Sequence, residues 1–214
     1  MTGKVFGIGL SRTATRSLNR ALEALGYRSV HLPRDRKTYE ELSSGIYTLS
    51  ILARYDGITD ITAAPFYARF DEAYPGSKFI LTTREKSSWM ESMRELNRVW
   101  LDEAKRGAIR RYLHRLRLEW RYERRPIGSF YDPADHIRMI RFLRTAVYGG
   151  LAFTDERRLS DVYDQHHGNV REYFRSRPND LLVMDICGGE GWAPLCRFLA
   201  KREPSVPFPH TDSR

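Results

Sequence analysis

Two short stretches of this chain concentrate the side chains that bind anions. The first, Gly9-Leu10-Ser11-Arg12-Thr13-Ala14-Thr15-Arg16-Ser17, sets two arginines and four hydroxyls directly after the apolar run Val5 to Ile8. The second places Arg84 at the end of Phe79-Ile-Leu-Thr-Thr and Ser92 eight residues further on. Arginine offers a planar fork of donors that matches phosphate and sulfate, and serine adds a hydroxyl donor. Where such residues open a helix, the first-turn N–H groups lack partners and carry the positive end of the dipole. The chemistry indicated is the seating of a phosphate or sulfate group.

Neither of two familiar glycine-rich loops accounts for the first stretch. A Walker loop needs G-x-x-x-x-G-K-[ST], but Ala14 and Thr15 stand where glycine and lysine would follow Gly9. A dinucleotide fingerprint needs G-x-G-x-x-G, and after Gly7 and Gly9 its third glycine is replaced by Arg12. An arginine there projects charge toward a ligand, where glycine only permits close packing.

The elements that must hold these residues alternate in type. Short apolar runs predict strands over 4–9, 28–31, 57–61, 78–83 and 181–186. Helical periodicity predicts helices over about 14–25, 35–53, 64–74, 87–104, 133–147, 155–176 and 191–201, with Gly26 stopping the first. A further helical stretch is expected over 105–124, broken at Pro126–Gly128, with Asp132-Pro133 capping the next helix. Ser87 or Ser88 is expected to cap the helix that carries Ser92. This order predicts an α/β fold: a three-layer, P-loop NTPase-like parallel sheet of about five strands, with one domain over 1–214. The helices at about 94–176 form an inserted cap. Ligands of such sheets lie at the carboxyl ends of the strands, which brings together Gly9–Thr15, Asp60 and Thr83-Arg84.

Composition narrows the classes. At 214 residues, with 41% hydrophobic and 29% charged content, the chain is an ordinary globular domain with no apolar run near the roughly 20 residues of a membrane span. The first strand begins at Lys4, leaving no room for a signal peptide, so a cytoplasmic location is expected. Cys187 and Cys196 have no metal spacing and are expected to be buried thiols; no His, Asp, Glu or Cys cluster suggests a metal site. Of the net charge of +9, much lies between Lys105 and Arg125, where nine Lys/Arg accompany Glu119 and Glu123. Interleaved with Tyr112, Trp120 and Tyr122, that run fits a solvated helix face or a nucleic-acid surface.

Ser11-Arg12-Thr13-Ala14-Thr15 and the Arg84…Ser92 interval resemble the two nucleotide motifs of sulfotransferases that use 3′-phosphoadenosine 5′-phosphosulfate (PAPS). Asp60…Pro65-Phe-Tyr, Tyr74-Pro-Gly-Ser-Lys-Phe-Ile-Leu-Thr, Gly189-Glu-Gly-Trp192 and Pro207-Phe-Pro-His210 extend the likeness to nearly the whole chain outside about 94–160. The resemblance implies that Ser11, Arg12, Thr13, Ala14, Thr15, Arg16 and Ser17 surround the 5′-phosphosulfate. It also implies that Arg84 and Ser92 clamp the 3′-phosphate, with PAP as product. Ala14 departs from the family's usual glycine.

Sulfuryl transfer implies two further tasks. Arg12 and the loop amides would stabilise charge on the leaving phosphate, and a base would take the acceptor's proton. The catalytic candidates are therefore Arg12 and Asp60, with His31 as the second choice for base. His166 and His167 fall on a cap helix, Glu190 and Trp192 suit capping and packing, and His210 belongs either over the nucleotide or to a docked tail. The acceptor is a hydroxyl or amine of a small molecule, lipid or glycan. A nucleotide-dependent phosphotransferase and a non-catalytic nucleotide binder remain as alternatives.

Overall fold

The computed structural model describes residues 3–33, 35–105, 133–150 and 155–211. Beyond Lys105, the expected helix over 105–124, the break at Pro126–Gly128, Asp132 and the rest of the basic run lie outside those residues. Five strands, β1 (Val5–Gly7), β2 (Ser29–His31), β3 (Gly57–Thr59), β4 (Lys78–Thr82) and β5 (Leu181–Met184), form one sheet in the order β2-β3-β1-β4-β5. Every pairing is parallel, as expected. Helices α1 (Thr15–Ala24), α2 (Arg36–Ser43), α3 (Tyr67–Ala73), α4 (Lys86–Lys105), α5 (Pro133–Tyr148), α6 (Glu156–Tyr173) and α7 (Trp192–Leu199) complete it, with α4 to α6 lying between β4 and β5 in the chain.

Strand alternation divides the core into two layers, since successive side chains point to opposite faces. Val5 and Ile80 join Leu18, Leu22, Leu195 and Leu199 in the cluster that includes α1 and α7. Phe6, Phe79 and Leu81 join Phe70, Trp89, Leu143 and Phe174 in the other. Phe6 stacks on Phe70 at 4.8 Å and on Phe79 at 5.3 Å. Three layers of this kind bury both faces of a parallel sheet.

Two helix ends show why local chemistry sets the boundaries. Helix α1 closes with Tyr27 N donating to the Leu22 carbonyl, Gly26 N donating to the Glu23 carbonyl, and Gly26 at φ 86°. That is the Schellman arrangement, for which glycine is favoured. The single helix expected over 35–53 is instead α2 followed by a separate 3-10 turn, Ser50–Ala53. Gly45 at φ 74° repeats the same motif, with Ile46 N on the Glu41 carbonyl, and terminates α2. The cap of α4 also differs from expectation: the Glu85 carboxylate, not Ser87 or Ser88, accepts the N–H groups of Ser87 (2.8 Å) and Ser88 (2.7 Å). Those bonds, led by the Ser87 hydroxyl, hold the Glu85 carboxyl down at about 2. Of the two cysteines expected to be buried, Cys196 is; Cys187 is exposed. No described helix is long and apolar enough to cross a membrane.

Candidate functional site

Strand β1 is central, and the chain leaves it between the carboxyl ends of β3 and β4, the crevice that this topology creates. Of the five non-glycine residues with positive φ among those described, four lie along that edge: Arg12 (71°), Ala14 (62°), Leu32 (46°) and Asp60 (79°). Each such conformation costs roughly 1–2 kcal/mol and persists only where the surroundings impose it. Beneath the loop, Thr13 Oγ1 donates to the Leu10 carbonyl and shares a 2.7 Å bond with Thr82 Oγ1. A Cβ on Gly9 would lie 1.9 Å from Thr82 Oγ1, so glycine lets the loop rest directly on β4. Ala14, the N-cap of α1, belongs to the apolar cluster of α1 and α7. Thr15 and Ser17 are buried in the first turn of α1, and Arg16 is half-buried beside them.

The two arginine-bearing stretches meet. Arg12 Nε donates to Ser92 Oγ at 2.7 Å, and Arg84 Nη1 donates to the Arg12 carbonyl at 3.3 Å. Arg84 Nε donates to Ser88 Oγ at 3.0 Å, so Ser88 joins the cluster one turn before Ser92. Trp89 Nε1 donates to the Ser11 carbonyl at 2.9 Å, and Tyr163 of α6 donates its hydroxyl to the Arg84 carbonyl. Two guanidiniums and two serine hydroxyls thus face one another across the ends of β1 and β4. Such an arrangement binds doubly charged oxyanions.

On the other side of the loop the polar groups are more deeply enclosed. Asp60 Oδ1 accepts from Ile61 N (2.8 Å) and Ser11 Oγ (3.2 Å), while Oδ2 lies 3.4 Å from His31 Nε2. Asp60 holds the loop through Ser11. Ser11 N in turn donates to Tyr148 Oη at 3.1 Å, joining α5 to the loop. Burial pushes the Tyr148 hydroxyl well above its ordinary range. One turn earlier on α5, Arg144 is 3% exposed, and burial lowers its guanidinium to about 10. It remains a cation at neutral pH.

The remaining candidates lie at the margins. His166 Nε2 donates to the Ile8 carbonyl at 2.8 Å and pins α6 onto the end of β1, with burial lowering the imidazole to about 4. His167 Nδ1 donates to the Tyr163 carbonyl within α6. The tail docks: Trp192 Nε1 donates to the Val206 carbonyl, Phe208 packs edge-on against Trp192, and Thr211 N donates to Ser17 Oγ at 3.1 Å. His210 is exposed, and Glu190 ties back to the Asp185 N–H. Sequence reasoning offered Ser88 only as a helix cap, gave Trp89 no contact at the site, and missed Tyr148 and Tyr163. Ser88 carried a signal in its i+4 spacing from Arg84, but the cap tyrosines act over 79 and 137 residues and leave none.

Comparison with known proteins agrees with this architecture. The model of the family described as "Sulfotransferase domain" matches residues 4–214. A protein of Aspergillus versicolor named "Ava biosynthesis cluster protein M" is 26% identical over 226 residues, covering 97% of this chain and 80% of that protein. With a parallel α/β sheet, an arginine-bearing loop after β1 and a family match across essentially its full length, the chain belongs to the sulfotransferase domain family.

Proposed function

We propose that this protein is a PAPS-dependent sulfotransferase that moves a sulfuryl group to a hydroxyl or amine of a small-molecule, lipid or glycan acceptor. The observation that carries the reading is the direct contact of the two arginine clusters, Arg12 with Ser92 and Arg84 with the Arg12 carbonyl. PAPS has anionic groups at both ends of its ribose, and two linked cationic clusters on one sheet edge fit that charge pattern. Arg12 and the residues from Ser11 to Ser17 take the 5′ end; Arg84 and Ser92, joined by Ser88, take the 3′-phosphate. PAPS, when bound, supplies the sulfuryl group and departs as PAP.

Arg12 and the loop amides oppose negative charge on the leaving phosphate. The acceptor's proton passes to the Asp60–His31 pair, whose 3.4 Å separation makes them one proton-accepting unit. Asp60 and His31 are therefore partners in this role. Ala14 gives little support to a non-catalytic reading, because its methyl belongs to an apolar cluster. The relative named for a biosynthesis cluster favours a small-molecule acceptor among the three classes.

Thermal unfolding with PAP, ATP or NAD tests the reading. PAP at millimolar excess is expected to raise Tm well beyond ATP or NAD, and Arg84→Ala to weaken PAP binding by about 10- to 100-fold, the value of a charged hydrogen bond. The absence of any PAP shift would overturn the proposal.

A further inference from the structure

Helix α6 reaches the ends of two neighbouring strands with side chains three positions apart. His166 meets the Ile8 carbonyl just past β1, and Tyr163 meets Arg84 just past β4. Residues at that spacing share one helix face, so a single rigid element touches both strand ends. The ion pairs Lys86–Asp164 and Arg94–Glu156 tie α6 in turn to α4.

The Tyr163 hydroxyl holds Arg84 on both sides. It accepts from Arg84 N at 3.4 Å and donates to the Arg84 carbonyl. A backbone N–H only donates and a carbonyl only accepts, so the direction of both bonds is fixed. Burial raises the hydroxyl above its ordinary range, and it keeps the proton it donates at neutral pH. Arg84 sits where such a hold counts, after β4 has ended at Thr82 and before α4 begins at Lys86. The Ser88 N–H, which a helical turn would direct to the Arg84 carbonyl, goes to the Glu85 carboxylate. The Tyr163 ring also lies 4.7 Å from that of Trp89, which is fully buried and donates Nε1 to the Ser11 carbonyl. One tyrosine therefore touches the backbone of Arg84 and the indole that holds the loop bearing Arg12.

We propose that Tyr163 is a positioning residue that fixes Arg84 relative to the Arg12 loop in the empty site, so that the site favours a nucleotide with phosphates at both ends of its ribose over one with a 5′-phosphate alone. This rests on the assignment of Arg84 and Ser92 to the 3′-phosphate. Arg84 is gripped at its backbone by α6 and at its guanidinium by Ser88 and the Arg12 carbonyl. A side chain so held has little freedom left to lose when an oxyanion arrives, and affinity rises by the cost avoided. A nucleotide without a 3′-phosphate makes no use of Arg84 and gains nothing from the arrangement.

The test is Tyr163→Phe, which keeps the ring beside Trp89 and removes only the hydroxyl. By calorimetry, Kd for PAP is expected to rise about 10-fold, the scale of one hydrogen bond, while Kd for adenosine 5′-phosphate stays within about 2-fold. Equal losses for both ligands would mean general loosening and would overturn the inference, as would wild-type affinity for PAP. Because the hydroxyl acts through Arg84, Tyr163→Phe combined with Arg84→Ala should bind PAP as Arg84→Ala alone does. Losses that multiply in the double variant would also overturn it. The hold itself is read without nucleotide, on the full carbon-13-labelled chain. There the Arg84 carbonyl signal should move in Tyr163→Phe while that of Ile8, held by His166, stays; an unmoved Arg84 signal overturns the inference. If that signal moves but the wild-type chain binds no PAP, the functional reading fails, and with it the preference for two phosphates, while the hold of Tyr163 on Arg84 stands.

Discussion

The two sides of the loop that follows β1 are built by opposite means. Toward β4, the half-buried Arg12 and Arg84 rest on single serine hydroxyls, contacts that an incoming oxyanion can replace at little loss. Toward β3 and β2, the buried Asp60, Thr59 and Asn19 join the half-buried Ser11 and His31 in a continuous network, with Asp60 held at φ 79°. Buried polar groups are expensive to leave unsatisfied, so such a network is rigid and set before any ligand arrives. Under the proposed function, the contrast suits a site that admits a charged nucleotide on one side and aligns a proton transfer on the other.

The sharpest way to break the comparison is Asp60→Asn. The amide keeps the shape and one oxygen acceptor but removes the charge. kcat is expected to fall by roughly 100- to 10,000-fold while the PAP-induced Tm shift stays at its wild-type value. Loss of both together would mean that the two sides are one coupled unit. Arg84→Ala is the converse, losing nucleotide while leaving the Asp60 network whole.

Acid probes the pin between the sides. His166 is lowered to about 4 in the folded chain from an ordinary 6.5, so the unfolded chain binds the extra proton first. Stability is therefore full above about pH 6.5 and falls as pH drops toward 4, by up to about 3 kcal/mol from this one group. Burial depresses His167 in the same direction. Urea midpoints at pH 7 and 5 should differ less in His166→Gln, whose amide can still reach the Ile8 carbonyl. An unchanged slope in that variant would remove the role given to His166.

The smallest effect is expected from Ala14→Gly. Glycine relieves the strain at φ 62° but loses a buried methyl and adds freedom to the unfolded chain, terms of about 1 kcal/mol each with opposing signs. Denaturation should place the variant within about 1 kcal/mol of wild type, with PAP affinity unchanged. A tenfold gain in affinity would instead mean that the methyl crowds the nucleotide.

Much of this was legible in local signals. The strand–loop–helix at Val5 to Leu18 follows from an apolar run, a glycine and helical periodicity. The Arg84…Ser92 spacing set both residues on one sheet edge before any coordinates. Where the reading of 35–53 failed, the cause was also local: helical periodicity outweighed Gly45, whose positive φ ended α2. Cys187 failed differently, because exposure at a turn depends on what packs nearby, and the sequence carries no trace of that.

By itself, then, the sequence determined which elements form, in what order, and which residues crowd the ends of the strands. Propensity, periodicity and caps act within one turn of helix or one pair of strands, so a single chain displays them. Tertiary structure alone decided who partners whom: Ser92 with Arg12, Ser88 with Arg84, Asp60 with His31, and Tyr148 with the Ser11 amide over 137 residues of chain. Those pairings come from the packing of distant elements against one sheet, and none of them exists until that packing is made.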